Sequence, residues 1–378
     1  MNAPLLTVTN LRVGLNTSRG PADALRGVTF SVQRGETVGL IGESGCGKSM
    51  TALAVMGLLP PTARVSGSIQ FDCEWRPQAD DLRRLPPGGE RNAWDGPALV
   101  SQELVGASED ALCQLRGNRI GMIFQEPMTA LNPLHTVGTP VAEPLRQHRG
   151  MGNCASRAEA LRLLERVHLP QAAQRLDAYP HQLSGGQRQR VMIAAALACS
   201  PDLLIADEPT TALDATIQGE ILDLLAELVR DSGMALLLIS HDLGVMAQSV
   251  QRVMVMYGGM VVESGPTASV FERLAHPYTR GVFGARPRLG TASVNGVKPR
   301  LVTIAGRVPE LVDLPMGCGF ADRCERVESA CREAMPSADA VAAEHTVRCI
   351  KPHGPFPKGR EAGHLWSSGG RLGMGVSP

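Results

Sequence analysis

Short apolar runs alternate with longer amphipathic segments along most of this chain, and the alternation predicts an α/β fold. Runs rich in leucine, valine and isoleucine predict strands, whereas apolar residues at helical spacing predict helices. The predicted strands are residues 6–13, 28–32, 37–41, 203–206 and 235–239, and the predicted helices are residues 48–59, 155–169, 187–198 and 217–229. The runs at 203–206 and 235–239 are apolar throughout, as in strands buried on both faces of a parallel sheet. We therefore expect a mainly parallel sheet covered by helices.

The pattern breaks down in three places, and these places divide the chain. Residues 72–100 are rich in proline, glycine and charge, which predicts a surface insertion. After about residue 288 the periodicity gives way to prolines, glycines and cysteines, and residues 352–378 have the composition of a disordered tail. The sequence thus predicts a main domain at 1–287, a small cysteine-containing domain at 288–351 and a tail at 352–378.

Composition argues against several classes of protein. The 378 residues include 37 basic and 37 acidic side chains, a balance that disfavours a protein built to hold nucleic-acid phosphates. Aromatic residues make up 3% of the chain, too few for stacking platforms along single strands. No apolar run approaches the ~18 residues of a membrane-spanning helix, and the N-terminus lacks the features of a secretion signal. We expect a protein of the reducing cytosol that binds no nucleic acid and whose nine cysteines form no disulfide frame.

A glycine-rich loop follows the predicted strand 37–41 and fits the pattern G-x-x-x-x-G-K-S. Such a loop turns backbone N–H groups toward phosphate oxygens, and the helix after it adds its positive N-terminal end. Lys48 would reach the β- and γ-phosphates, and the Ser49 hydroxyl would bind Mg²⁺. Lys48 is also the only lysine of the first 297 residues, in a chain with four lysines and 33 arginines. The predicted ATP-binding residues of the loop are Gly42, Ser44, Gly45, Cys46, Gly47, Lys48 and Ser49.

Two carboxylates follow the buried strand 203–206, at the end where parallel sheets bind ligands. Asp207 is expected to hold Mg²⁺, and Glu208 is expected to polarise the attacking water as a general base. The alternative is that Asp207 and Glu208 are an ordinary acidic strand end before a turn. The phosphate loop upstream argues against this alternative.

A second candidate anion site lies at residues 183–187, where Leu-Ser-Gly-Gly-Gln precedes a predicted helix. Ser184 is expected to cap that helix, and Gly185, Gly186 and Gln187 present backbone N–H groups at its positive end. One chain rarely has two binding sites for the same phosphate. We therefore expect this site to bind the nucleotide of a second subunit when the two subunits close on each other. The alternative is a glycine-capped helix start with no ligand.

The order of these motifs resembles that of ABC-type ATPases. The resemblance implies a RecA-like core with an N-terminal antiparallel β part and a helical subdomain at about 126–190. It also implies roles for three further residues. Gln125 would touch Mg²⁺ and water and sense a transmembrane partner, Asp214 would lie at the dimer interface, and His241 would contact the γ-phosphate and assist catalysis.

Longer stretches at 124–133, 256–259, 276–280 and 314–324 resemble one subfamily, the ATP-binding subunits of oligopeptide and dipeptide importers. This resemblance implies a second ATPase subunit, two permeases, an external substrate-binding protein and a place on the cytoplasmic face of the inner membrane. Nickel or another small solute is the alternative cargo, and a transport-free ABC ATPase is the alternative class. Leu15 departs from the family at the place where an aromatic ring usually stacks on adenine.

Four cysteines cluster in the C-terminal region with the spacing C-x₅-C-x₆-C-x₁₇-C. In a reducing compartment such a cluster suggests metal ligation, either by Zn²⁺ or by an iron–sulfur cluster, which accepts looser spacings. The resemblance to importer ATPases implies a four-iron cluster, and four unligated thiols are the alternative. The candidate ligands are Cys318, Cys324, Cys331 and Cys349.

Overall fold

The computed structural model describes residues 3–74, 99–125, 130–211, 213–285 and 303–355. These residues fall into two compact units. The first unit comprises residues 1–261 and 308–314, and the second comprises residues 262–307 and the chain from 315 onward. The domain limits at 287 and 351 stay predictions, and the predicted tail lies outside the described residues from residue 356 onward.

The first unit contains nine described strands and eight described α-helices. The strands are β1 Leu6–Thr17, β2 Gly20–Val32, β3 Thr37–Ile41, β4 Arg64–Glu74, β5 Leu99–Glu103, β6 Ile120–Ile123, β7 Leu203–Asp207, β8 Ala235–Ile239 and β9 Arg252–Tyr257. The helices are α1 Lys48–Val55, α2 Glu109–Leu115, α3 Gly138–Arg149, α4 Asn153–Arg166, α5 Ala172–Arg175, α6 Gly185–Leu197, α7 Ala215–Ser232 and α8 Leu243–Ser249. Within the described ranges, none of the protein's helices has the length and apolar character needed to cross a membrane.

A parallel sheet with the strand order β9-β3-β8-β7-β6 forms the core of the first unit. Every residue of β7 and β8 is buried, which confirms the two strands predicted from their continuous apolar runs. The register aligns Leu203 with Ala235 and Asp207 with Ile239, so the carboxyl ends of β7 and β8 lie side by side. The phosphate loop follows β3 at the same edge of the sheet. The candidate binding and catalytic residues therefore lie together at the carboxyl edge of the parallel sheet.

An antiparallel sheet of order β2-β1-β4-β5 accompanies the parallel one. The strand predicted at 28–32 is the end of the 13-residue β2, because pairing with β1 extends it through Gly- and Asp-containing positions that have low intrinsic strand preference. The first and last residues of the predicted insertion at about 72–100 lie in strands of this sheet. Residues up to 74 belong to β4 and residues from 99 belong to β5, and these strands pair with each other. Residues 75–98 lie outside the described residues.

Helix α1 ends at Val55, four residues before the end predicted from the apolar pattern. The chain turns at Gly57, which takes a left-handed conformation with φ of +63°, and an added Cβ there would lie 2.7 Å from Leu112. Arg116 satisfies the carbonyls that the helix end exposes, donating from Nε to Met56 O at 2.7 Å and from Nη2 to Gly57 O at 2.8 Å. The end of α1 therefore depends on a hydrogen-bond donor sixty residues away, which the local sequence pattern cannot predict.

The second unit is smaller and mixes short strands with short helices. Its strands are β11 Asp339–Ala342, β12 His345–Val347 and β10 Met260–Pro266, whose first two residues belong to the first unit. Its helices are α9 Thr267–Arg273, α10 Pro277–Gly284 and α11 Ser329–Glu333. Strand β12 pairs antiparallel with both β10 and β11.

A buried carboxylate, Glu263, organises the middle of this unit. It accepts hydrogen bonds from the backbone N–H groups of Ala275 and His276 and is paired with His345 Nε2, each at 2.8 Å. Burial alone would raise the pKa of Glu263, but the hydrogen bonds from His345, His276 and Ala275 outweigh it and hold the pKa below its ordinary value. The ionised carboxylate therefore joins β10, β12 and the start of α10.

Candidate nucleotide-binding site

The phosphate loop, residues 42–49, lies between β3 and α1, as predicted. Gly45 and Gly47 adopt φ values of +80° and +105°, which side chains other than glycine rarely tolerate. Gly42 has no room for a Cβ either, because such an atom would lie 2.5 Å from both Cys46 Sγ and the Met256 carbonyl oxygen. The backbone of the loop is thus fixed by its glycines and by close packing.

Lys48 lies across this loop rather than pointing into solvent. Its Nζ donates to the carbonyls of Gly42 at 2.8 Å and Glu43 at 3.1 Å, and the residue is 5% exposed. The ammonium is therefore held against the backbone of the phosphate loop.

Asp207 and Ser49 form the next part of the site. Asp207 is 4% exposed, its Oδ1 has no hydrogen-bond partner, and its carboxylate accepts a hydrogen bond from Ser49. Burial raises the pKa of Asp207 above its ordinary value, and the charge of Glu208 adds to the rise although Ser49 opposes it. An orphaned buried carboxylate oxygen beside a serine hydroxyl fits Mg²⁺, which prefers oxygen ligands.

Glu208, the residue after β7, is surrounded by donors. Its Oε2 accepts from Gln125 Nε2 at 3.2 Å and from Thr211 Oγ1 at 2.9 Å, and His241 Nδ1 lies 3.3 Å from the same atom. The backbone at Glu208 is left-handed, with φ of +46°, and its N–H donates to Ile239 O at 2.9 Å. The structure thus brings the predicted residues Gln125, Glu208 and His241 together beside Asp207.

Thr211 is a member of this cluster that the sequence analysis missed. It follows Glu208 by three residues, and its backbone N–H donates to the Glu208 carbonyl at 3.1 Å. A threonine at that spacing after a candidate base, in a Glu-Pro-Thr-Thr turn, is the signal that could have identified it.

The second predicted anion site forms a separate cluster at the start of α6. Ser184 caps the helix, with its Oγ accepting from Gln187 N at 3.3 Å and Gln187 Oε1 accepting from Ser184 N at 3.1 Å. Gly186 packs on α7, because an added Cβ would lie 2.7 Å from Ile217. Asp214 caps α7 through Ile217 N at 3.0 Å, so the two helix starts lie side by side.

The remaining predicted site residues are placed as follows. Leu15 lies on β1 opposite Ala22 of β2, and its partly buried side chain packs against the hydrophobic core. Strand β2 also contacts the phosphate loop, because Leu25 lies next to Gly47. Residues 126–129 and 212, which belong to two of the motifs, lie outside the described residues.

The four C-terminal cysteines line one small cavity of the second unit. Two of the four sulfurs accept backbone hydrogen bonds. Arg326 N donates to Cys324 Sγ and Lys351 N donates to Cys349 Sγ, both at 3.4 Å. Burial, together with the neighbouring thiols, raises the pKa of Cys318 to about 11. Over the residues that the structure describes, no group of three or more His, Cys, Asp or Glu side chains is arranged to hold a single metal ion.

Two family models match this sequence. A model described as ABC transporter matches residues 25–211, and a model of the oligopeptide/dipeptide transporter C-terminal region matches residues 262–331. The second match begins at the residue where the second compact unit begins.

Curated relatives align with nearly the whole chain. A putative peptide import ATP-binding protein of Brucella melitensis is 46% identical over 349 residues, which are 92% of this chain and 97% of that protein. The dipeptide transport ATP-binding protein DppD of Bacillus subtilis is 44% identical over 347 residues, which are 91% of this chain and 94% of that protein.

Solved structures share the fold. An ATP-binding cassette determined as a dimer in a post-hydrolysis state, bound to ADP and Pi, superposes with a TM-score of 0.55 and 28% identity. It covers 69% of this chain and 98% of its own. A Clostridium perfringens cbiO1 structure, described as part of an ABC transporter complex, gives a TM-score of 0.53 at 27% identity, covering 71% of this chain and 91% of its own.

Proposed function

This chain belongs to the ABC transporter family of ATP-binding proteins, and on that premise we propose that it hydrolyses ATP to drive the import of di- or oligopeptides through partner permeases. The catalytic part of the proposal rests on Glu208, whose carboxylate is aligned by Gln125, Thr211 and His241 beside the phosphate loop. The peptide cargo is supported by the match to the peptide-transporter C-terminal region and by the names of the relatives.

Binding of the triphosphate falls to the loop and to two oxygen ligands. The backbone N–H groups of residues 42–49 and the Lys48 ammonium would hold the β- and γ-phosphates. Ser49 and the unpartnered Oδ1 of Asp207 would hold Mg²⁺, with Gln125 as a further ligand. Mg²⁺ would offset charge on the phosphate oxygens when bound. Leu15 would pack on the adenine without stacking.

Hydrolysis falls to Glu208 and its neighbours. Glu208 would accept a proton from water as that water attacks the γ-phosphorus, and the proton would leave with the products ADP and phosphate. His241 would contact the γ-phosphate and keep the water in line, a task of positioning and charge stabilisation. Thr211 and Gln125 would keep the carboxylate in one orientation.

The second cluster would act on the nucleotide of a partner subunit. Gly185 and Gly186 present N–H groups at the start of α6, and Ser184 presents its hydroxyl. Gln187 completes the capping box, and Asp214 lies beside these residues. A dimer that sandwiches two nucleotides gives these groups a ligand, and a similar cassette has been solved as a dimer.

We expect Ser184→Ala to lower ATP turnover by roughly 10²-fold, the usual loss when one charge-stabilising donor is removed. Nucleotide binding to the isolated chain should stay unchanged, because the residue serves the partner's site. Ser108→Ala is the matched control, since Ser108 caps α2 in the same way through Ala111 N but lies in a different part of the unit. Steady-state ATPase rates and equilibrium nucleotide binding, measured for both variants, test the assignment. Equal turnover in the two variants would refute it.

Coupling to transport would run through residues 125–133 to two permeases, in a complex with a second ATPase subunit and an external substrate-binding protein. Apolar side chains flank this segment in exposed positions, with Phe124 43% exposed and Leu134 82% exposed. The protein would sit at the cytoplasmic face of the inner membrane, held there by the permeases.

Co-expression with the permeases of a peptide importer tests the transport role directly. We expect the chain to appear in the membrane fraction only when the permeases are present, and cells to take up labelled di- or oligopeptides. Uptake of nickel but not of peptides would change the cargo, and membrane-independent behaviour would overturn the transport role altogether.

The four cysteines fit an iron–sulfur cluster, which we propose as a second cofactor. Four thiols face one cavity, and backbone N–H groups donate to the sulfurs of Cys324 and Cys349. A cluster takes each thiolate on a different iron, whereas Zn²⁺ needs four sulfurs at about 2.3 Å from one ion. The loose sequence spacing of the four cysteines, together with the one cavity that they line, supports the cluster. A bound cluster would tie four chain segments together.

Gly317→Ala should reduce bound iron and sulfide by at least about tenfold, a loss typical of damage close to metal ligands. An added Cβ would lie 2.3 Å from the Cys331 carbonyl oxygen, which now accepts from Cys318 N at 2.8 Å, so the two ligand segments would be forced apart. Gly354→Ala is the control, because nothing lies within 4 Å of a Cβ there. Iron and sulfide are assayed on anaerobically purified protein. If the wild-type chain held no iron, sulfide or zinc, the cofactor proposal would fail.

A further inference from the structure

The tip of the β1–β2 hairpin extends beyond the next strand of its sheet. The pairing of β1 with β4 ends at Gly14, whereas its pairing with β2 continues to Thr17. Residues 15–22 therefore form a two-stranded ribbon, and a ribbon of this kind is only marginally stable in water unless another part of the protein holds it. Leu15, the residue proposed to pack on the adenine, is the first residue of this ribbon.

A segment distant in sequence, residues 308–314, lies beside β2, and we call it the strap. It belongs to the first unit, although the chain on either side of it belongs to the second. The turn Leu311–Asp313 within the strap is the part that lies next to β2. The apolar residues of the strap are partly buried, and they are Val308, Pro309, Leu311, Val312 and Leu314. The strap is therefore packed onto the first unit.

Arg19, in the turn between β1 and β2, binds the strap through two carboxylates. Its Nη1 donates to Glu310 Oε2 at 2.8 Å and to Asp313 Oδ2 at 2.7 Å, and its Nη2 donates to Asp313 Oδ1 at 2.8 Å. The turn itself is fixed, because Thr17 Oγ1 donates to Gly20 O at 2.7 Å and accepts from Arg19 N at 3.2 Å. The guanidinium therefore joins the tip of the ribbon directly to the strap.

The geometry of this contact sets it apart from an ordinary surface ion pair. Arg19 and Asp313 are about half exposed, at 52% and 49%, and an isolated pair with such exposure contributes little. A bidentate guanidinium–carboxylate pair with a second carboxylate on the same guanidinium is the exception, because it fixes orientation as well as supplying attraction. Hydrogen bonding to Arg19 also lowers the pKa of Asp313, so the carboxylate stays ionised at neutral pH.

We propose that Arg19 is a positioning residue for the base of the nucleotide, because it binds the ribbon to the strap and so holds Leu15 in place against the adenine. The inference rests on the proposed packing of Leu15 on adenine. The phosphate loop is fixed by its own glycines and by close packing, so it does not depend on the ribbon. Arg19 should therefore affect the affinity for ATP and leave the binding of phosphates alone unchanged.

The test uses the full chain in four forms, which are wild type, Arg19→Gln, the charge-exchanged double variant Arg19→Asp with Asp313→Arg, and Arg157→Gln. Equilibrium binding is measured with Mg²⁺ for ATP and for inorganic tripolyphosphate, which offers the phosphates without the base. Steady-state ATPase rates and amide hydrogen exchange of residues 15–22 complete the measurements. Arg157→Gln is the matched control, because Arg157 forms an equally exposed bidentate pair with Asp177 elsewhere in the first unit.

We expect Arg19→Gln to bind ATP about three- to tenfold more weakly than wild type, with its tripolyphosphate affinity and its rate at saturating ATP unchanged. The amides of residues 15–22 should exchange at least about tenfold faster, while those of residues 6–9, which β4 also pairs, should keep their wild-type rates. The charge-exchanged variant should recover most of the wild-type affinity for ATP. Arg157→Gln should match wild type throughout.

The results that would overturn the inference are distinguishable. If wild type binds ATP no more tightly than tripolyphosphate, the adenine contributes nothing to affinity, and the packing of Leu15 falls together with this inference. If wild type prefers ATP but Arg19→Gln weakens both ligands equally, or neither, the role of Arg19 is wrong while the packing stands. Unchanged hydrogen exchange of residues 15–22 in Arg19→Gln would show that the strap does not hold the ribbon.

Discussion

Glu208→Gln should bind ATP with wild-type affinity and hydrolyse it roughly 10²- to 10⁴-fold more slowly, the range set by loss of a general base. Glutamine has nearly the same shape and still accepts a hydrogen bond from Thr211, but it cannot take a proton from water. Because ATP would persist, the variant should also accumulate as a nucleotide-sandwiched dimer. ATP turnover, nucleotide binding and size in solution are the three measurements.

The matched control for this experiment is Glu227→Gln, an exposed glutamate on α7. It removes the same charge from the same unit without touching the cluster around Glu208, so its turnover should equal that of wild type. Near-normal hydrolysis by Glu208→Gln would show that some other group activates the water. Loss of ATP binding would instead place Glu208 in the binding of substrate.

Lys48→Arg should lose most ATP turnover, by roughly 10²- to 10³-fold, although the charge is kept. The Lys48 ammonium sits between two loop carbonyls in a buried position, and its three donors can reach carbonyl and phosphate oxygens together. A guanidinium is larger, planar and forked, so it cannot occupy the same place without displacing the loop.

Lys351→Arg is the control for this second experiment, since Lys351 pairs with Glu328 at an exposed site where either cation serves. Its ATPase rate should be that of wild type. Normal turnover of Lys48→Arg would mean that only the positive charge matters at the loop. The scarcity of lysine in this chain would then reflect codon bias at every position, including residue 48.

The sequence predicted those parts of the site that depend on local pattern. The loop 42–49, the strand at 203–206 and the helix cap at Ser184 are each predicted from adjacent residues, and the structure has them in the expected elements. Glu208 and His241 follow neighbouring strands, so the parallel register brings them together. Their roles in catalysis stay predictions.

Other features depend on residues that are distant in sequence, and local pattern could not reveal them. The pairing of β4 with β5 spans the stretch 72–100, whose composition indicates only a loop. The end of α1 depends on Arg116, and the carboxylates that bind Arg19 lie 291 and 294 residues further along the chain. Hydrogen bonds of this kind form only once the chain has folded.

The left-handed backbone at Glu208 lowers folding stability at a residue that the proposed activity requires. A residue with a Cβ in that region costs on the order of 1 kcal/mol relative to glycine, and the cost is borne at the residue that carries the candidate base. Glycine at position 208 would relieve that strain, but it would remove the hydrogen bonds from Gln125 and Thr211 together with the candidate base. The strain is therefore part of the cost at which the fold presents this carboxylate.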